Sequence, residues 1–64
     1  VKRSDLVKHL SQNGCVLHRE GKKHTLYKNP KTGRYAAVPR HNEVNDFTAR
    51  KICIDLEIST PKKS

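Results

Sequence analysis

At 64 residues the chain holds a single domain, at a length where a hydrophobic core only narrowly outweighs chain entropy. Fourteen Lys and Arg against six Asp and Glu give a formal charge of +8 and a sequence pI near 9.9. So large an excess on so small a surface repels itself unless an anion neutralises it, which points to nucleic acid, an acidic membrane surface or an acidic protein. Basic surfaces also serve solubility alone, but this charge density favours nucleic acid. No apolar run is long enough to span a bilayer and no basic-then-apolar leader opens the chain, so a soluble, intracellular protein is expected.

Ser4 and Asp5 look like a helix start, a capping hydroxyl followed by a carboxylate favoured by the helix dipole. Leu6, Val7 and Leu10 follow at helical spacing, and Asn13-Gly14 supplies residues that tolerate the left-handed conformation after a helix. A first helix is therefore predicted from about Ser4 to Asn13. Cys15-Val16-Leu17-His18-Arg19 reads as a strand, broken by Gly21, and His24-Thr25-Leu26-Tyr27-Lys28 as a second. Asn29-Pro30-Lys31-Thr32-Gly33 is a turn signal, with Pro fixing φ and Gly33 free to take φ > 0. Arg34-Tyr35-Ala36-Ala37-Val38 makes a third strand, ended by Pro39. Ala49, Ile52, Cys53 and Leu56 then repeat as the apolar face of a second helix, with Asp46 or Thr48 as its cap.

The predicted order is α-β-β-β-α, an α+β fold over residues 1–60 with residues 61–64 as a frayed tail. Neither helix can bury its stripe alone, so both should pack on one face of a three-stranded antiparallel sheet, with Leu6, Leu10, Ile52 and Leu56 in the core. The other face stays open to solvent. Cys15 and Cys53 sit among apolar neighbours without zinc-site spacing, and two buried free thiols suit a reducing cytoplasm.

The first hairpin concentrates charge: Arg19, Lys22, Lys23, His24 and Lys28 fall within ten residues, and Lys31 and Arg34 follow in the next turn. Cations spread over a hairpin and an open sheet face can track a phosphate backbone. Tyr27 and Tyr35 could stack on bases, but with three aromatics in the chain both are expected in the core. A three-residue loop, Glu20-Gly21-Lys22, would set Arg19 opposite Lys23 and His18 opposite His24. Cys15, Leu17, Thr25 and Tyr27 would then face the helices, and Val16, His18, His24 and Leu26 the solvent. A two-residue loop would reverse the faces and bury His24 beside Leu17. The first register buries the aromatic and exposes the histidine, so it is preferred. His9, His18, His24 and His41 raise the question of a metal, but no carboxylate or second thiol stands at ligand spacing, and neither metal nor cofactor is expected.

Gly14-Cys15, Arg19-Glu20-Gly21, His24, Asn29-Pro30, Thr32-Gly33-Arg34, Val38-Pro39-Arg40-His41 and Arg50-Lys51-Ile52-Cys53 follow one another in this order. The ordered set, from Lys2 to about Ser59, resembles the HicA family of toxins from bacterial toxin–antitoxin pairs. The resemblance implies a fold like the double-stranded-RNA-binding domain and a ribonuclease that cleaves messenger RNA in the cytoplasm. It also implies a HicB-type antitoxin as partner. The family's histidine lies at the start of the second strand in a Gly-x-His or Gly-x-x-His context, which Gly21-Lys22-Lys23-His24 carries here, so His24 inherits the catalytic role. Two departures stand out: Lys22-Lys23 where many members have Gly-Ser, and Glu57 where many end the second helix with Gly.

The chemistry is coherent with one histidine. RNA is cut without a metal when its own 2′-OH attacks the adjacent phosphorus. An imidazole titrating near neutrality can take that proton or give one to the leaving oxygen. Lysine or arginine beside it would stabilise the phosphorane. His18 or His41 would be the second proton carrier if there is one. The alternative is an RNA-binding module that uses the basic face without chemistry. A DNA-binding reading lacks a recognition helix, since Arg50 and Lys51 are mixed with Asp55 and Glu57.

Overall fold

The computed structural model describes residues 1–60; the tail expected at residues 61–64 lies outside the described residues. The first helix, α1, spans Arg3–Gln12. It begins one residue earlier than its sequence suggests and without a side-chain cap, Lys2 being the N-cap in place of Ser4. Tertiary pairing replaces the missing hydroxyl. Lys2 forms an antiparallel bridge with Glu43, and the Arg3 N–H donates to the Asn42 carbonyl at 2.8 Å, satisfying one of the orphan donors of a helix start. At the other end Gly14 takes φ +84°, its N–H donates to Ser11 and the Cys15 N–H to Leu10. This Schellman closure turns the chain back and drops Cys15 into the core.

Three strands follow: β1 (Val16–Glu20), β2 (His24–Asn29) and β3 (Arg34–Pro39), an antiparallel sheet in the order β1-β2-β3. The second helix, α2, spans Asp46–Asp55, and its cap is Asn45, whose side chain accepts from the Phe47 N–H at 2.8 Å. Neither Asp46 nor Thr48, the residues expected there, is the N-cap. Asn45 precedes both and still reaches the N2 amide, the geometry an N-cap needs.

Alternation along the strands decides which face is covered. Thr25, Tyr27 and Asn29 of β2 and Ala36 and Val38 of β3 are buried, while His24, Tyr35 and Ala37 are exposed. Leu6 and Leu10 of α1 and Ala49, Ile52, Cys53 and Leu56 from α2 and its C-cap join the same core, so both helices lie on one face, as expected. Leu6, Leu10 and Leu56 are fully buried, each contributing about 1.5–3 kcal/mol of hydrophobic stabilisation. Cys15 and Cys53 are unpaired and buried. Burial pushes both thiols up, and for Cys53 the neighbouring Cys15 adds to it. Among the described residues no helix is long and apolar enough to cross a membrane.

Two expectations about the open face need correction. Tyr35 is not a core residue: it is 43% exposed, its ring edge-to-face with His18 at 4.8 Å and beneath the Lys28 ammonium at 5.5 Å. It pairs with Lys28 across β2–β3, and that register turns both outward. The first hairpin also closes differently. Glu20 pairs with Thr25 and Arg19 with Leu26, leaving a two-residue turn, Lys22-Lys23, between Gly21 and His24. Arg19 is therefore not opposite Lys23, nor His18 opposite His24. A two-residue turn alone would invert the faces, but a β-bulge at His18 adds one residue and restores them: Leu17 pairs with Tyr27 and Val16 with Lys28. His24 thus stays on the open side although the loop is shorter. Leu17 lies on the helical side of the sheet by its pairing with Tyr27 yet remains 52% exposed: the helix α2 packs against β3, and every residue of β1 is exposed.

Candidate functional site

His24 is the first residue of β2, exposed, and paired with Pro39 at the end of β3. The pairing brings two loops together. From the hairpin come Lys22 and Lys23, and from the segment after β3 come Arg40 and His41. With His24 and Pro39 they line a shallow concavity of about 360 Å³. Two histidines, two lysines and an arginine therefore line one hollow, and no Asp or Glu is among its lining residues. Such a constellation suits an anion flanked by proton carriers.

The hairpin is held in shape from below. The Gly21 N–H donates to the His24 carbonyl at 2.8 Å, and a Cβ on Gly21 would meet that oxygen at 2.9 Å, closer than real Cβ atoms come. The tight closure therefore requires glycine. Arg40 reaches across to donate to the Gly21 carbonyl and to Glu20 Oε1, the latter at 2.6 Å. Thr25, next to His24 and facing the helices, donates its hydroxyl to the same Glu20 oxygen at 3.2 Å and accepts from Arg3 Nη2 at 3.2 Å. Arg3 Nε binds the Pro39 carbonyl at 2.9 Å. A chain of bonds thus ties the start of α1, both strands flanking His24 and the turn before it.

The cations singled out in the sequence do not form one patch. Lys22 and Lys23 border the concavity. Arg19, paired with Leu26, and Lys28, against Tyr35, lie on the open sheet face. Lys31 and Arg34 sit at the opposite end of the sheet, where Arg34 Nε is ion-paired with Glu57 at 3.0 Å. Arg40, outside the cation-rich hairpin and turn, also borders the concavity. Its signal was its place after Pro39, since a residue just past the strand that pairs with His24 must emerge beside it. Among the other histidines, His9 bonds the Ser59 carbonyl at 2.7 Å and His18 lies against Tyr35. Among the described residues no three His, Cys, Asp or Glu side chains are grouped to hold a metal.

No curated protein and no solved structure matches the chain. A family model does: that of the HicA toxin of bacterial toxin–antitoxin systems matches residues 3–58, from the first residue of α1 to Ile58, which packs on the core beyond α2. The match takes in both helices, the whole sheet and every residue that lines the histidine concavity. The chain belongs to the HicA toxin family.

Proposed function

We propose that this toxin acts as a metal-independent endoribonuclease on messenger RNA in the cytoplasm, with His24 as general acid or base. The observation that carries this reading is the exposed His24 imidazole sharing its concavity with Lys22, Lys23 and Arg40. The RNA supplies its own nucleophile, the 2′-OH, so the protein has to move protons and stabilise charge on the phosphorane. The imidazole of His24 can do the first, and the surrounding cations do the second. Arg19 and Lys28 extend the positive track over the open face, where Tyr35 offers a surface for a base. One acid–base group contributes about a hundred- to ten-thousandfold, which predicts a slow enzyme.

His24→Gln tests it. The variant keeps size and hydrogen bonding but cannot titrate. Because His24 is exposed, fold and melting temperature should stay within the range of surface substitutions, about 0.5 kcal/mol. Cleavage should be lost, RNA affinity largely kept, and wild-type cleavage should persist in EDTA. A His24→Gln protein that cuts RNA at the wild-type rate would instead make the chain a non-catalytic RNA-binding module. The open face with Lys28, Tyr35 and Arg19 would serve that reading equally well.

A toxin of this family has a cognate antitoxin. We propose a HicB-type partner that covers the concavity and open face with an acidic or substrate-mimicking surface. Its binding should block cleavage and raise the melting temperature by mass action.

A further inference from the structure

We propose that His41 is a second catalytic residue, the general acid that protonates the leaving 5′-oxygen while His24 removes the 2′-OH proton. The inference rests on the ribonuclease reading above and adds a second proton carrier to it. Of the four histidines, only His41 shares the concavity of His24. His9 is tied to the Ser59 carbonyl beyond α2. His18 contacts Tyr35, whose strand partner Lys28 is four residues along β2 from His24, about 13 Å at the rise of an extended chain. That is out of reach of a phosphate held at His24.

His41 stands two residues past Pro39, and Pro39 is the direct partner of His24, so the two imidazoles border the hollow from adjacent strand ends. In-line cleavage is served best by two proton carriers on opposite sides of the phosphorus. The 2′-oxygen attacks phosphorus from one side as the 5′-oxygen departs from the other, so a single imidazole cannot readily serve both oxygens at once. Two groups within hydrogen-bond reach of those oxygens stand on the order of 8–9 Å apart, the two reaches of about 2.8 Å plus the O–P–O span. A concavity of about 360 Å³ lies in the size range of small-ligand sites and accommodates a phosphodiester between them.

The step balances. The P–O2′ bond forms and the P–O5′ bond breaks, His24 gains the 2′-OH proton and His41 gives one to the 5′-oxygen. The products are a 2′,3′-cyclic phosphate and a 5′-hydroxyl, and solvent returns both imidazoles to their starting states. Lys22 and Lys23 from the hairpin and Arg40 from the segment after β3 are the charged groups facing the pair, with Glu20 bound to Arg40. Glu43, two residues beyond His41, has its backbone paired with Lys2.

The test compares two RNA substrates of one sequence, one with an ordinary 5′-oxygen at the scissile bond and one with sulfur in that position. A thiolate leaves without protonation, so only the ordinary substrate needs the acid. His41→Gln should slow cleavage of the ordinary RNA about a hundred- to ten-thousandfold and cut the sulfur substrate at nearly the wild-type rate. It should also lose the alkaline limb of a bell-shaped pH–rate profile. His24→Gln should be defective on both substrates. Wild-type cleavage of the ordinary RNA by His41→Gln, or an equal defect on both substrates, would overturn the assignment of His41 while leaving His24 in place. Full activity of His24→Gln would sink the underlying ribonuclease reading instead.

Discussion

The two hairpins of this sheet share β2 and are held together by different means. At the β2–β3 turn, Asn29 is buried: its amide donates to the Leu56 carbonyl at 2.7 Å and its side-chain oxygen accepts from the Lys31 N–H at 3.0 Å. Its main-chain carbonyl accepts from Gly33 at 2.8 Å, with Gly33 at φ +74°. One residue therefore closes the turn and satisfies a carbonyl at the end of α2, and the strands run in register without interruption. The β1–β2 hairpin has a bulge, a two-lysine turn and an exposed arginine clamp from Arg40. A turn anchored by a buried asparagine whose side chain bonds on both its amide and its oxygen is a scaffold. An exposed turn that gathers like charges at its tip carries a cost to folding that makes sense when an anion binds there.

The largest effect should come from breaking the scaffold side. Leu56→Ala removes a fully buried side chain beside the carbonyl that Asn29 holds, and should cost about 2–5 kcal/mol, read as a lowered denaturant midpoint. Asn29→Ala leaves the Leu56 carbonyl and the Lys31 N–H without their partner and should cost about 1–3 kcal/mol. Glu20→Gln in the other hairpin should cost no more than about 1 kcal/mol, because its bond with Arg40 is exposed. Equal losses from Asn29→Ala and Glu20→Gln would erase the distinction between the hairpins.

A smaller effect separates them by charge. Each contact between a cation and a single-strand phosphate adds about 0.7 to the slope of log affinity against log salt. Replacing Lys22 and Lys23 by Ala should flatten that slope by about 1.4. Arg34→Ala should change it less, since Arg34 stands at the far end of the sheet and already pairs with Glu57. A steeper loss at Arg34 than at the lysine pair would move the proposed RNA track to the β2–β3 turn.

The scaffold hairpin was legible in the sequence because its signals are local. Asn-Pro before Gly33 names the turn, and the apolar positions of β2 and β3 alternate in phase. The element order and the four core residues Leu6, Leu10, Ile52 and Leu56 followed from periodicity for the same reason. In the other hairpin the sequence indicates the face of His24 but not the pairing. A bulge is a non-local choice: an extra residue at His18 is chosen by how β1 meets β2, and nothing in Leu17-His18-Arg19 announces it. A count of aromatics puts Tyr35 in the core, whereas its parity with Lys28 across the well-marked turn faces it outward. The start of α1 was missed because its cap is tertiary, supplied by the Asn42 carbonyl nearly forty residues away. The concavity itself is tertiary too, since Arg40 and His41 reach His24 only through the β2–β3 register.

The smallest predicted effect compares the two helix ends. Both close by the same pair of bonds: Gly14 and Cys15 donate to Ser11 and Leu10 after α1, and Glu57 and Ile58 donate to Ile54 and Cys53 after α2. The left-handed position is Gly14 at φ +84° in one and Glu57 at φ +58° in the other. A side chain there costs roughly 1–2 kcal/mol relative to a permitted conformation, and glycine avoids that cost. Against it stand the greater freedom of glycine in the unfolded chain, about 0.4–1 kcal/mol, and the exposed Arg34 pair, about 0–1 kcal/mol. These nearly cancel at low salt, and salt weakens only the ion pair. Glu57→Gly should therefore change stability by less than about 0.5 kcal/mol in dilute buffer and become stabilising, by up to about 1 kcal/mol, in molar salt. Equilibrium unfolding in urea at the two salt concentrations reads both values. A variant less stable than wild type at high salt would mean that the left-handed glutamate carries little strain, and that something other than Arg34 holds it there.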